Sequence, residues 1–404
     1  MGSYNYGPFY FEQKINHFDN DSGTFKQRYW MNRNHYSDSG PAVLYNAGEV
    51  DAGERSYYVI NSTMHDMARE LHGIVIVIEH RYYGESMPFS DHSTENLRFL
   101  TTGQALADMA YFIRSYNVSL SWIIYGGSYS GNIAAWMRTE YPDLVFAAVA
   151  SSAPVEIRPD FWKYYDPIMR YGPKHCIDAI VSTIEQVDEI LFGNDSSAKT
   201  KLYSEFGLAA LDQDDDFASW IRYPLSKWQN IVPWDNPFAD FCTIFDGSIA
   251  PKDAYARYIT SVNFTEQDYR AWLYQTCTEY GYWQIAAPIN RTTIVSRKLD
   301  IGWFQRQCQN EFDINDQKIG RIYDGWNITT TRIIWVDGEW DPWRELSVQS
   351  PNANARDNAF TIPRAVHHWD LFSSAFVPNE VKIVQFEILE VLRVWLEQYR
   401  VYSV

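Results

Sequence analysis

The sequence predicts an α/β protein: a mostly parallel sheet with helices on both faces, interrupted by a large, mostly helical insertion. Three observations point to this. Short runs of branched and aromatic residues alternate with helical stretches over residues 1–155, the βαβα rhythm of a parallel sheet. Between 156 and 322 strand signals become sparse, helical periodicity takes over and all four cysteines appear. From 323 to 404 the strand signal returns and a long amphipathic stretch closes the chain. The predicted division is one domain in two parts, 1–155 and 323–404, with an inserted cap at 156–322.

Taken in order, the strand candidates of the first part are 41–46, 73–79, 121–125 and 146–150. Each is short, apolar and bounded by turn formers, as strands buried on both faces are. Helices are expected near 57–71, 98–116 and 131–141. Within the insertion, 176–191 has clear helical spacing. The runs 330–336 and 358–362 restore the strands, and 379–399 predicts a final helix. No internal repeat or low-complexity tract interrupts this pattern.

Composition narrows the function. Of the 404 residues 46% are hydrophobic and 17% aromatic, including 16 Trp and 29 Tyr. This excess suits either a padded core or a site for flat apolar groups. The formal net charge of −17 argues against nucleic acid, which demands clustered Lys and Arg. No apolar run approaches the roughly 20 residues of a membrane-spanning helix, so no membrane partner is expected. The opening Met1-Gly-Ser-Tyr4 is not a secretory leader, which by itself suggests a cytosolic chain or a mature form with a new initiator Met. Seven Asn-X-Ser/Thr sequons oppose the cytosolic reading: Asn20, Asn61, Asn117, Asn194, Asn263, Asn290 and Asn327. Cys176, Cys242, Cys277 and Cys308 lack a metal-like CxxC spacing, so two disulfides are expected. The balance favours a secreted or lysosomal/vacuolar protein that uses no metal and no cofactor.

The chemistry centres on Tyr125-Gly-Gly-Ser-Tyr-Ser-Gly131. Ser128 follows a strand and precedes Gly131, Ala134 and Ala135, small residues that suit the start of a helix. A sharp strand–Ser–helix turn is a nucleophile elbow, and it requires small flanking residues. Gly126 and Gly127 meet that requirement upstream, whereas Ser130 departs from strict G-x-S-x-G. In α/β-hydrolases the acid and then the His follow the Ser, on loops after later strands. Here Asp337, Glu339 and Asp341 lie after the 330–336 strand, and His367 and His368 follow 358–362. The residues alone leave those choices open. His80 is a poor alternative base because it precedes Ser128, and Glu79-His-Arg81 reads as a charged network supporting the site.

These motifs resemble a known family. Gly126-Gly-Ser-Tyr129, Glu79-His-Arg-Tyr-Tyr-Gly-Glu-Ser86, Asp341-Pro-Trp343 and His367-His-Trp-Asp-Leu371 look like the prolyl carboxypeptidase / dipeptidyl peptidase II family of serine peptidases. Ala47-Gly-Glu-Val50 and Tyr280-Gly-Tyr-Trp283 are most similar to its secreted fungal branch, the acid prolyl endopeptidases. The resemblance implies an α/β-hydrolase fold with a helical cap, Asp341 as the acid, His367 as the base, and Cys176–Cys242 and Cys277–Cys308 pairing. It implies cleavage on the carboxyl side of proline in peptides or proteins, with Trp343 and Tyr129 near the proline. Mode is left between endopeptidase, which the fungal branch favours, and Pro-X carboxypeptidase or dipeptidyl peptidase. The oxyanion donors are expected to be the backbone N–H of Tyr129 and that of Gly48 or Glu49. An esterase or lipase, or a non-catalytic hydrolase-fold binding protein, is the more remote alternative.

Overall fold

All six runs expected as strands pair into one sheet in the computed structural model, which describes residues 5–19, 23–37, 40–116, 121–262, 269–315, 319, 323–354 and 356–402. They are β3 (Ala42–Asn46), β4 (Ile74–Ile78), β5 (Trp122–Gly127), β6 (Val145–Ser151), β9 (Ile333–Gly338) and β10 (Ala359–Ile362). Two strands not anticipated, β1 (Phe9–Lys14) and β2 (Thr24–Asn32), extend one edge, giving the order β1-β2-β4-β3-β5-β6-β9-β10. β2 runs antiparallel to both neighbours and the remaining pairs are parallel. That order, with one reversed strand and a serine turn after β5, is the α/β-hydrolase fold. These two strands escaped notice because β1 is only partly covered and runs from three aromatic residues into Glu12-Gln-Lys14, and β2 mixes charged with apolar residues, where the central strands are apolar throughout.

Successive residues of each central strand feed opposite cores. Leu44, Ile76 and Ile124 pack with helices Thr102–Ser115 and Tyr129–Glu140. Val43, Val75 and Ile123 pack with Thr63–Glu70 and the closing helix Asn379–Tyr402. The helix expected at 57–71 is two elements, a 3₁₀ stretch Ala52–Val59 and the α-helix Thr63–Glu70. The Ser62 hydroxyl accepts the His65 N–H at 3.1 Å, and this N-cap restarts the chain as a separate helix.

Between β6 and β9 the chain is mostly helical, with one short parallel ladder of β7 (Arg158–Asp160) and β8 (Gly281–Trp283). Helix Lys174–Phe192 buries Cys176, Ile177, Ile180, Ile184, Val187 and Leu191, an i, i+3/i+4 stripe that turns one face inward. Cys176 is bonded to Cys242 and Cys277 to Cys308, at sequence separations of 66 and 31. Cross-links spanning such loops stabilise by about 4 kcal/mol each, by restricting the unfolded chain. No helix among the described residues is long and apolar enough to cross a membrane. Asn61, Asn194, Asn290 and Asn327 are exposed, whereas the sequons at Asn20, Asn117 and Asn263 fall outside the described residues.

Candidate active site

Ser128 sits between the end of β5 and helix Tyr129–Glu140, with φ 60° and ψ −131°. A non-glycine residue in this region is strained, and here the surrounding backbone holds it. Its N–H donates to Ser151 O at 2.9 Å, and its carbonyl accepts from Gly131 N at 2.8 Å. The small neighbours are obligatory. A Cβ on Gly126 would stand 1.9 Å from Ser130 O, and one on Gly131 2.6 Å from Ser151 O. Ser130, the departure from the elbow pattern, has its own use: its hydroxyl donates to Asn46 O at 2.6 Å. That bond ties the turn to the end of β3.

The structure separates the three acid candidates. Asp341 is fully buried and caps the 3₁₀ turn Pro342–Leu346, accepting Trp343 N–H at 2.9 Å. His367 Nδ1 lies 3.1 and 3.0 Å from its two oxygens. Asp337 lies on β9 and accepts from the Ser347 hydroxyl at 2.8 Å. Burial, and then repulsion from Asp341, hold the Asp337 carboxyl well above the usual carboxylate range. Glu339 accepts the Arg364 N–H at 2.9 Å. Of the two histidines, His368 has a left-handed backbone and donates its N–H to Ser152 Oγ at 2.8 Å. Burial, followed by His367 and Arg55, holds its imidazole well below the ordinary His value. The Ser128 hydroxyl is half-buried and makes no hydrogen bond among the described residues. The geometry thus joins His367 to Asp341 and leaves the serine link open, as free enzymes often do.

A cavity of about 480 Å³ opens on Ser128, lined by Glu49, Tyr129, Tyr282 and Trp343 among others. Trp343 is wedged among Phe161, Tyr164, Tyr282 and His367, at ring-centroid distances of 5.4, 5.6, 5.6 and 6.2 Å. Its indole N–H donates to Gln229 Oε1 at 2.9 Å. Gln229, Tyr164 and Tyr282 belong to the insertion; Tyr282 falls within the Tyr280–Trp283 motif, whereas no spacing in the sequence marked Gln229 or Tyr164. On the β3 loop, Gly48 adopts φ +70° and its N–H donates to Asn46 Oδ1 at 2.9 Å. Glu49 next to it is pushed up from the usual carboxylate value by burial, with Arg55 and His367 opposing.

The charged run after β4 is a support beneath this site. The Glu79 carboxylate receives Arg28 Nε at 2.9 Å, Ser86 Oγ at 2.6 Å and Ala52 N at 2.9 Å. Arg81 and Asp108 form a buried two-pronged pair at 2.7 and 2.6 Å. His80 Nδ1 lies 2.7 Å from Arg81 O, and since a carbonyl only accepts, Nδ1 bears the proton. Its Nε2 therefore accepts from the Tyr129 hydroxyl at 3.0 Å. Burial lowers the His80 pKa to about 4, against the Arg81 carbonyl and Asp108, which raise it. His80 thus anchors the residue after Ser128.

The serine carboxypeptidase S28 family matches residues 13–250 and 247–385. A probable extracellular serine carboxypeptidase of the fungus Arthroderma benhamiae is 29% identical over 465 residues, covering 92% of this chain and 64% of that protein. The chain therefore spans just under two thirds of that relative. Serine protease vicPa of Bipolaris victoriae is 30% identical over 416 residues, covering 84% and 78%. The lysosomal Pro-X carboxypeptidase of Homo sapiens is 27% identical over 450 residues, covering 98% and 89%. With the family matched over most of its length, the chain belongs to the serine carboxypeptidase S28 family of serine-type peptidases.

Proposed function

We propose that the chain hydrolyses peptide bonds on the carboxyl side of proline, with Ser128 as nucleophile, His367 as base and Asp341 orienting the imidazole. The observation behind this reading is the buried His367–Asp341 contact next to a cavity that opens on Ser128 and has an aromatic wall. Substrate entry would bring Ser128 Oγ within reach of His367, which takes the proton as Oγ attacks the carbonyl carbon. The imidazolium then gives that proton to the leaving amine, and water resolves the acyl-enzyme by the same path in reverse. Tyr129 N–H is one oxyanion donor; because Gly48 N–H is engaged by Asn46, Glu49 N–H is the second. Proline suits the slot beside Trp343 because its ring is compact, apolar and lacks an N–H. The Pro-X carboxypeptidase among the relatives supports that specificity.

In this reading 156–322 is a cap whose residues wall the cleft. Disulfides, exposed sequons and relatives named extracellular or lysosomal favour work in a secretory or lysosomal/vacuolar space. Two measurements test the proposal. A fluorophosphonate is expected to label Ser128 in the intact protein, and Gly-Pro-Phe peptides, blocked at each end in turn, to be cut after Pro somewhere between pH 3 and 8. No label at Ser128 would refute the nucleophile, and labelling without post-proline cleavage at any pH would refute the specificity.

A further inference from the structure

We propose that Arg222 is the carboxylate subsite of the cleft, engaging an acidic group on the bound peptide and above all its C-terminal carboxylate. The inference rests on the peptidase reading above but not on proline. Arg222 follows helix Asp214–Ile221 and lines both the cavity at Ser128 and a second one of about 710 Å³ farther into the insertion. The two cavities share several residues, so they are parts of one cleft with Arg222 at their junction.

The guanidinium is held without being neutralised. Nη1 donates to the neutral Gln284 Oε1 at 3.2 Å, and the charge stands 5.9 and 5.7 Å from the Trp303 and Phe304 ring centroids. No carboxylate pairs with it among the described residues. The nearby cation Arg306 differs, since it pairs with Asp215 and Asp216. Asp216 is further occupied by Trp303 Nε1 at 2.7 Å. A fixed, half-buried guanidinium facing a cavity presents a fork that matches a carboxylate in two-pronged geometry.

Calorimetry on a Ser128→Ala background, which prevents turnover, tests this. The ligands are benzyloxycarbonyl-Gly-Pro-Phe as free acid and as amide, the corresponding Gly-Pro-Glu amide, and Gly-Ala-Phe free acid. The free acid is expected to bind at least tenfold more tightly than the amide. With Arg222→Gln added, that ratio is expected to collapse to within about twofold of unity, and Arg222→Lys to restore part of it. A ratio is internally controlled, so a general loss of affinity through misfolding does not imitate the effect. A Glu amide that binds like the free acid would assign the subsite to acidic side chains. Equal binding of acid, amide and Glu amide, or a preference unchanged by Arg222→Gln, would overturn the proposal. Failure of the proline reading is distinct: the Ala and Pro free acids would bind alike while the acid preference persisted.

Discussion

Among single residues, Asp337 and Asp341 show how surroundings divide two neighbouring carboxyls. Asp341 is met by Trp343 N–H and by His367 Nδ1, so its charge has partners. Asp337 has one hydroxyl donor and an Oδ1 with no partner, and burial favours its neutral form. Asp341→Asn is therefore expected to lower kcat by about 10⁴, because the amide reverses the hydrogen bond that fixes the imidazole tautomer. Asp337→Asn closely mimics the protonated acid and is expected to lower kcat by less than about tenfold. Steady-state rates on one peptide compare the two. An equal loss in both would reject Asp341 as the orienting acid.

The β5–turn–helix unit places Ser128 by leaving no room for side chains. Gly126→Ala would press a methyl to 1.9 Å from Ser130 O, a backbone atom of the same turn that cannot swing aside. We expect a loss of about 3 kcal/mol or more in denaturant unfolding. Ser130→Ala removes only the hydroxyl bond to Asn46 O and is expected to cost about 1 kcal/mol. Similar losses from the two substitutions would show that close packing does not set the elbow.

The insertion and the sheet domain meet across whole-molecule distances in sequence. Glu279, beside β8, accepts the Thr102 N–H at 3.0 Å and its hydroxyl at 2.9 Å, a separation of 177 residues. Burial raises the Glu279 pKa to about 7, against the Thr102 and Tyr280 donors, which lower it. Folded Glu279 therefore keeps its proton where the unfolded chain, titrating near 4.5, has lost it. Its contribution is intact below about pH 4.5 and is lost as pH rises through about 7, a change of order 3 kcal/mol. His80, lowered to about 4, has the opposite trend, losing stability as pH falls from about 6.5 to 4. A comparison with Glu279→Gln cancels the His80 part. Wild-type stability is expected to fall relative to this variant between pH 4.5 and 7 in denaturant titrations. A difference that stays constant over that range would remove Glu279 from the pH dependence.

The amino-acid sequence by itself determined the central sheet, the helical interruption and the order in which Ser128, a group of candidate acids and a histidine pair follow one another. Doubly buried strands are continuous apolar runs and an elbow needs small residues, so both are written locally. The half-covered strands β1 and β2 lacked such a run. Only the tertiary structure decided which acid meets which histidine, because Asp337, Glu339 and Asp341 share one loop region and differ in where the backbone aims them. It also supplied the bond that explains Ser130, the engagement of Gly48 N–H, and the cleft walls Gln229, Tyr164 and Arg222. Those residues come from distant segments of the insertion, and contacts between distant segments have no period or spacing for a sequence to display.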